Sequence, residues 1–158
     1  MIYTNLKRLK KIYSWERFGP DLLTYLNKTK VDRKSLAYSD ILKAISLFDT
    51  CTCCAAEQSH DREWRLIAIR WARLLIKDSE ILDIAESFAN GLASEKERIQ
   101  THAAAGRAWC ETPSLENKII LTTVAAKASS ALSYVYMQLA TDIKTDVLKA
   151  IFLEEIDK

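Results

Sequence analysis

The chain has 158 residues, of which 49% are hydrophobic and 28% are charged, with only three glycines and two prolines. This length fits one domain, and the apolar fraction is large enough for a core, which excludes a disordered chain. So few turn-forming residues argue against a β-sandwich with its many tight turns. The 23 basic and 21 acidic residues give a net charge of +2, which favours neither a nucleic-acid-binding nor a membrane-binding protein.

The location of the protein is predicted from what its sequence lacks. The apolar runs, such as Ile119–Leu121, are too short to cross a bilayer. The N-terminus is polar and charged and has no apolar stretch of the kind found in secretion signals. We therefore expect a cytoplasmic protein without a membrane partner. In that reducing compartment we expect four free thiols, at Cys51, Cys53, Cys54 and Cys110.

Apolar residues recur at helical spacing along almost the whole chain. Residues 1–34 are predicted to form an N-terminal helical segment, with one helix over Tyr3–Tyr13 and a second that starts at Pro20, a residue suited to a first helical position. The basic run Lys7–Lys11 in this segment is interpreted as a solvated helix face.

Residues 39–156 are predicted to form the core of a bundle, because N-cap residues precede most of the periodic segments. The predicted helices start at Ser39, at Ser59 or Asp61, and near Ile81, Ser94, Ser114 and Thr141 or Asp142; the one from Ser114 runs to about Ala140. Short turns between helices favour antiparallel neighbours. The sequence therefore predicts one all-α domain over residues 1–158, an antiparallel bundle of about six to eight helices.

Two neighbouring predicted helices are rich in small residues, over Ala103–Gly106 and Ala125–Ala131. Small side chains allow helix axes to approach to about 8 Å, so we expect these helices to pack together as a tight hairpin. A glycine inside a helix costs about 1 kcal/mol relative to alanine, which favours a packing role for Gly106.

His102 is the first residue that could carry chemistry. It shares a helical face with Ile99, Ala103, Gly106 and Trp109, so we expect it to be largely buried. Such a histidine acts either as a general base or ligand, or as a core residue bonded to a carboxylate or backbone carbonyl. We favour the core interpretation, because the sequence identifies no second catalytic group.

The cysteine cluster is the second candidate. Its C-x-C-C spacing, with His60 nearby, differs from the paired C-x₂-C of structural zinc sites, so we predict buried thiols and no metal. The known phosphate-binding, nucleotide-binding, serine-hydrolase and zinc-protease motifs do not occur in the sequence. We therefore predict no catalytic residues, no cofactor and no enzymatic activity.

The helix that follows His60 has apolar residues on two faces. Trp64 and Trp71 mark one face, and the opposite face carries four residues: Arg62, Leu66, Ile69 and Arg73. Either the helix is central in the bundle, with its arginines paired to acids such as Asp49, or the second face binds a partner. We favour the central position; an exposed face of this composition would suit a protein interface, where arginine is enriched.

Several stretches of the sequence resemble a known family: Leu47-Phe48-Asp49, His60-Asp61-Arg62 with Arg65, Thr101–Arg107, and the alanine-rich segment Ala125–Ala131. Together they cover residues 41–136 and resemble the immunity proteins of bacterial polymorphic toxin systems, which are small all-helical domains. The resemblance implies a protein that binds and neutralises a toxin. It singles out five polar residues as family-motif or buried polar positions: Asp49, Asp61, Arg65, His102 and Arg107.

Three functions remain open at this point. The chain is a binding protein that blocks a partner, a helical enzyme or small-ligand-binding bundle that uses His102 with a carboxylate, or a structural or regulatory protein that self-associates as a homo-oligomer. A deep polar pocket that holds His102 would favour the second function. An exposed apolar and basic patch would favour the first or the third.

Overall fold

The computed structural model describes residues 1–125 and 127–158, and they confirm the all-α fold. One short antiparallel sheet accompanies the helices, with Tyr3 opposite Ala37 and Thr4 opposite Leu36. The described elements are β1 (Tyr3–Thr4), α1 (Leu6–Leu9), α2 (Trp15–Tyr25), β2 (Leu36–Ala37), α3 (Tyr38–Ala44), α4 (Leu47–Cys53), α5 (Asp61–Ala72), α6 (Glu80–Ala89), α7 (Glu95–Glu111), α8 (Leu115–Thr123), α9 (Ala128–Leu139) and α10 (Thr145–Ile156).

These described residues hold ten α-helices, more than the six to eight expected, because two predicted helices are each divided. The helix predicted from Ser39 ends at Ala44, and Ser46 then caps α4 by accepting a hydrogen bond from the backbone N–H of Asp49. The helix predicted over 114–140 is α8 followed by α9. Ala126, part of the alanine-rich segment, lies outside the described residues.

The N-terminal segment also differs from its prediction. Residues 3–13 form β1 and the four-residue helix α1, and the next helix starts at Trp15 rather than at Pro20. Pro20 therefore lies inside α2, where its missing N–H removes one hydrogen bond. Gly19 is required here, because a Cβ atom at this position would lie 2.4 Å from the ring of Trp15.

Helix α5 is the centre of the bundle and packs against α6, α8, α9 and α10. Trp64 and Trp71 are fully buried on it and stack against Phe152 of α10, with ring centroids 6.2 and 6.4 Å apart. Both indole N–H groups donate hydrogen bonds to backbone carbonyls, at Glu57 and Leu148. The central position of this helix, predicted from its two apolar faces, is confirmed.

The predicted packing of α7 against the next helix is present, because α7 packs against α8, but the predicted seam between the two small-residue segments is wrong. Ala128 and Ala131 of α9 are buried, and α9 packs against α5, whereas α7 packs against α6 and α8. On α7 the buried residues are Thr101 and Ala105. Alanine and glycine occupy four consecutive positions of this helix, so the apolar pattern there has no direction and does not identify the buried face.

Gly106 is not the close-packed residue that we expected. A Cβ atom added to it would meet Leu121 Cδ1 at 4.0 Å, which is ordinary contact. Gly106→Ala is therefore expected to raise the free energy of unfolding by up to about 1 kcal/mol, because alanine has the higher helix propensity. The matched variant Gly19→Ala should lower it by about 1–3 kcal/mol, because its Cβ clashes with Trp15. Urea denaturation of both variants checks this, and a destabilised Gly106→Ala would contradict it.

A buried carboxylate joins the end of α10 to α5. The Glu155 side chain is 5% exposed and accepts hydrogen bonds of 2.6 Å from Arg70 and from Lys158. Burial alone would raise the pKa of Glu155, but the hydrogen bonds from Lys158 and Arg70 outweigh it and hold that pKa below its usual value. Because the pKa is lower in the folded state, the stabilising contribution is complete above the unfolded pKa of about 4.3 and is lost as pH falls through the folded value.

Glu155→Gln is therefore expected to lower the free energy of unfolding at neutral pH by about 2 kcal/mol, since it removes charged hydrogen bonds. The difference from the parent protein should shrink as pH falls below the unfolded pKa of about 4.3, and it should vanish once Glu155 is protonated in the folded state as well. Glu154→Gln is the control, because Glu154 bonds to the same Arg70 but is mostly exposed; solvent screens this pair, so its loss should be clearly smaller than that of Glu155→Gln. Equal losses of unfolding free energy for the two variants across the pH range would disprove the stabilising role of the buried Glu155 carboxylate.

Candidate functional site

A cleft of about 300 Å³ opens where the first turns of α5, α7 and α9 meet. Its lining combines charged side chains with two aromatic rings. The lining residues are Cys54, Gln58, Asp61, Trp64, Arg65, Phe88, Glu95, Arg98, Lys127, Ala128 and Ser129. We refer to it as the α5–α7–α9 cleft.

Asp61 and Arg65 form the inner part of this cleft. They lie four residues apart on α5 and thus on one face of the helix, and Arg65 Nε donates to Asp61 Oδ2 at 2.7 Å. Arg65 also donates from Nη1 to the carbonyl oxygen of Ala125 at 3.0 Å, and Asp61 Oδ1 accepts from the backbone N–H of Ala128 at 3.3 Å. The pair therefore ties the start of α5 to the α8–α9 connection at Ala125 and to the first residue of α9.

Arg98 and Glu95 form the outer part of the cleft. Arg98 donates from Nε and Nη2 to the two carboxylate oxygens of Glu95, at 2.7 and 2.6 Å. These hydrogen bonds hold the pKa of the Glu95 carboxyl below its usual value, so the pair is fully charged at neutral pH. The guanidinium groups of Arg65 and Arg98 both lie over the ring of Phe88, 5.3 and 5.8 Å from its centroid. Both arginines are thus fixed in orientation by a carboxylate and by an aromatic ring.

The charges of the cleft do not cancel. Two carboxylates face three cationic side chains, because Lys127 stands at the N-cap of α9 and is exposed to solvent. The cleft therefore carries a surplus of one positive charge. A surplus of this sign favours a ligand with a negatively charged group.

The only thiol in this lining is not activated for chemistry. Cys54 is fully buried, and burial raises the pKa of its thiol well above the usual value. A neutral thiol is a poor nucleophile, and both carboxylates of the cleft are occupied by arginines. The arrangement suits binding of a charged group better than covalent catalysis.

The five polar residues singled out by the resemblance do not form one cluster. Asp61 and Arg65 lie together in the cleft, whereas Asp49 lies at the start of α4, where it pairs with Arg17. His102 and Arg107 are exposed on α7. The predicted burial of His102 is therefore wrong. The cause is the run of alanine and glycine on α7, which does not identify the buried face of the helix.

The four residues opposite the tryptophans do not form an exposed patch, because α6 covers this face of α5. Ile69 is 2% exposed and belongs to the core. Arg73 donates to Asp83 and Glu86 of α6. Arg62 is mostly exposed and donates to Asn90 at the end of α6, and Leu66 is half-buried. The arginines of α5 thus pair with acids, as expected of a central helix, but Asp49 is not one of them.

The cysteines divide into two groups. Cys51, Cys53 and Cys54 are buried, as predicted, and burial raises the pKa of each thiol. Cys110 is exposed on the outer face of α7. Over residues 1–125 and 127–158, no group of three or more His, Cys, Asp or Glu side chains could hold a metal ion. Within the same residues, no helix has both the length and the apolar character needed to cross a membrane.

Sequence reasoning missed the outer half of the cleft, namely Phe88, Glu95, Arg98 and Lys127. Glu95 and Arg98 are three residues apart directly after the predicted N-cap Ser94, so their pairing could have been read from the sequence. That this pair meets Arg65 over Phe88 depends on the packing of α6 and α7, which no local pattern specifies. The chain matches no protein-family model, no curated protein and no solved structure.

Proposed function

We propose that this chain is a binding protein that captures a partner protein and neutralises it, as the immunity proteins that it resembles do with toxins. The observation that carries the proposal is the α5–α7–α9 cleft, where Arg65 and Arg98 are held in place over Phe88. Side chains that are already ordered lose little conformational entropy on binding. The surplus positive charge at Lys127 is complementary to an acidic side chain of the partner.

The proposal predicts capture of one protein in amounts equivalent to the chain itself. The tagged protein is purified from its native cell, and the proteins that co-purify are quantified by mass spectrometry. Lys127→Glu should reduce recovery of the partner at least about tenfold, because the reversed charge would then face an acidic group of the partner, and a tenfold loss needs only about 1.4 kcal/mol of repulsion. The captured protein expressed alone should arrest growth, and co-expression of this chain should restore it.

Lys144→Glu provides the matched control. Lys127 and Lys144 are both exposed N-cap residues of 12-residue helices, and neither caps its helix with a side-chain hydrogen bond. The control should retain full capture. Absence of a stoichiometric partner would refute the proposal. Equal capture by the two variants would show that the cleft is not part of the interface.

A small anionic ligand is the second candidate for the cleft. The cleft volume of about 300 Å³ is at the lower end of the range for ligand pockets, and the Arg65 side chain in the cleft is 7% exposed. Small mono- and dicarboxylates are then expected to raise the midpoint of thermal unfolding of the parent protein and of Lys144→Glu, but not of Lys127→Glu. The version of this function that used a buried His102 is not supported, because His102 is exposed.

A further inference from the structure

Charge is distributed unevenly along this chain. Residues 1–34 carry nine basic and three acidic side chains, a net charge of +6. Residues 35–158 carry 14 basic and 18 acidic side chains, a net charge of −4. The overall charge of +2 therefore conceals a strongly basic segment on an acidic remainder.

The fold concentrates part of this positive charge on one surface. The backbone N–H of Lys7 in α1 donates to the carbonyl oxygen of Asp32 at 3.0 Å, which holds α1 beside the segment 28–34. A depression of about 330 Å³ lies on this surface. Its lining is four exposed cationic side chains and one asparagine: Asn5, Lys7, Arg8, Lys11 and Arg33. We refer to this depression as the basic face.

Most of the charge on the basic face is not neutralised within the chain. Arg8 pairs with Glu57. Across the part of the chain that the structure describes, Lys7, Lys11 and Arg33 form no ion pair. Three unpaired cations around one depression produce a positive electrostatic potential there. A helix face that only contacts solvent has no need of such a cluster.

We infer that the basic face is the docking surface for an acidic region of the partner protein, an inference that rests on the proposed function. The partner would place several carboxylates into the depression, opposite Lys7, Lys11 and Arg33. Exposed residues of the types enriched in protein interfaces lie near these cations in the sequence, at Tyr3 and at the fully exposed Tyr13.

An acidic protein fits this surface better than a nucleic acid or an anionic membrane does. A long strand or a lipid surface would extend past the depression and meet the rest of the chain, whose net charge is −4. That remainder repels an extended polyanion, whereas an acidic region of a folded protein is confined to the depression.

The basic face also lies next to the α5–α7–α9 cleft. Glu57 holds Arg8 of the basic face, and its neighbour in the chain, Gln58, lines the cleft. One partner can therefore cover both surfaces. The two sites would share the recognition of acidic groups.

A fluorescent decaglutamate peptide tests this inference without knowledge of the partner. Its binding is followed by fluorescence anisotropy at low and high salt. The parent protein should bind it, with an affinity that falls as salt rises. The triple variant Lys7→Glu, Lys11→Glu, Arg33→Glu should bind at least about 30-fold more weakly, because like charges then oppose the peptide.

The control triple variant is Lys77→Glu, Lys118→Glu, Lys144→Glu, which changes the net charge equally at exposed positions outside both the basic face and the cleft. It should lose less than about threefold in affinity, since charges beyond the Debye length are screened. Circular dichroism monitors folding; if the basic-face triple variant unfolds, Lys7→Glu and Lys11→Glu are measured singly. Equal loss in the two triple variants, or no binding of decaglutamate, would overturn the inference.

Two further arms identify the class of ligand. Tighter binding of an oligothymidylate of equal charge, or of phosphatidylserine vesicles, than of decaglutamate would also overturn it in favour of a nucleic acid or a membrane. Full capture of the native partner by the basic-face triple variant would refute this docking surface while leaving the proposed function intact. Decaglutamate binding without any captured protein would refute the proposed function, but the preference of the basic face for acidic ligands would stand.

Discussion

Replacement of Trp71 with alanine is expected to lower the free energy of unfolding by about 3–5 kcal/mol, the range for removal of a large buried aromatic side chain. Trp71 is fully buried on the central helix α5, where it stacks on Phe152. Its ring also packs against that of Tyr136, with the ring centroids 6.1 Å apart. Its indole N–H donates to the carbonyl oxygen of Leu148 at 3.0 Å. Alanine would leave a cavity and would remove the hydrogen bond from the indole to this carbonyl, and each of these is unfavourable.

Trp109→Ala is the control for this prediction. Trp109 is half-buried on α7, which packs mainly against α6 and α8 at the side of the bundle. Its removal should cost about 1 kcal/mol, in keeping with partial burial. The two free energies are compared by urea denaturation. Similar losses would mean that α5 is not the centre of the core.

Arg65→Met is expected to lower the free energy of unfolding by about 2 kcal/mol, because it removes a largely buried guanidinium that bonds to a backbone carbonyl and to the half-exposed carboxylate of Asp61. Methionine keeps most of the apolar stem but removes the guanidinium. The carbonyl of Ala125 would then lose its donor, and Asp61 would lose its nearest cation. The start of α5 would no longer be tied to the α8–α9 connection at Ala125.

Arg62→Met tests whether this loss comes from burial rather than from any arginine on α5. Arg62 lies on the same helix, but it is mostly exposed and donates to the side chain of Asn90. Its replacement should change the free energy of unfolding by less than about 1 kcal/mol. Both variants are measured by the same urea denaturation. Equal losses would show that the Asp61–Arg65 pair contributes no more to the free energy of unfolding than an exposed arginine does.

The sequence predicts best where large apolar residues repeat at helical spacing. Trp64, Ile67 and Trp71 specify the inner face of α5, because burying such residues dominates the free energy of folding. Capping residues were equally informative: α7 begins directly after Ser94, as predicted, and there Ser94 and Glu97 form a capping box.

Prediction fails where the side chains are small or where the signal is weak. On α7 the run from Ala103 to Gly106 offers similar apolar area in every direction, so neighbouring helices decide which face is buried. The break between α8 and α9 contains neither glycine nor proline. It follows Thr122, Thr123 and Val124, β-branched residues that lower helix propensity only slightly.

The candidate site divides in the same way. The Asp61–Arg65 pair follows from spacing on one helix. Its meeting with Arg98 over Phe88 follows only from tertiary packing, since these residues belong to different helices. The basic face likewise needs the fold, because the hydrogen bond between Lys7 and Asp32 brings two separate basic segments together.

Hydrogen–deuterium exchange of the chain with and without its captured partner locates the binding surface. In the proposed binding mode, the partner covers the basic face and the adjoining α5–α7–α9 cleft. Slower exchange on binding is therefore expected in residues 5–11 and 28–34 and around residues 95–98 and 127–129. Slower exchange confined to the outer face of α7, with these segments unchanged, would contradict this binding mode.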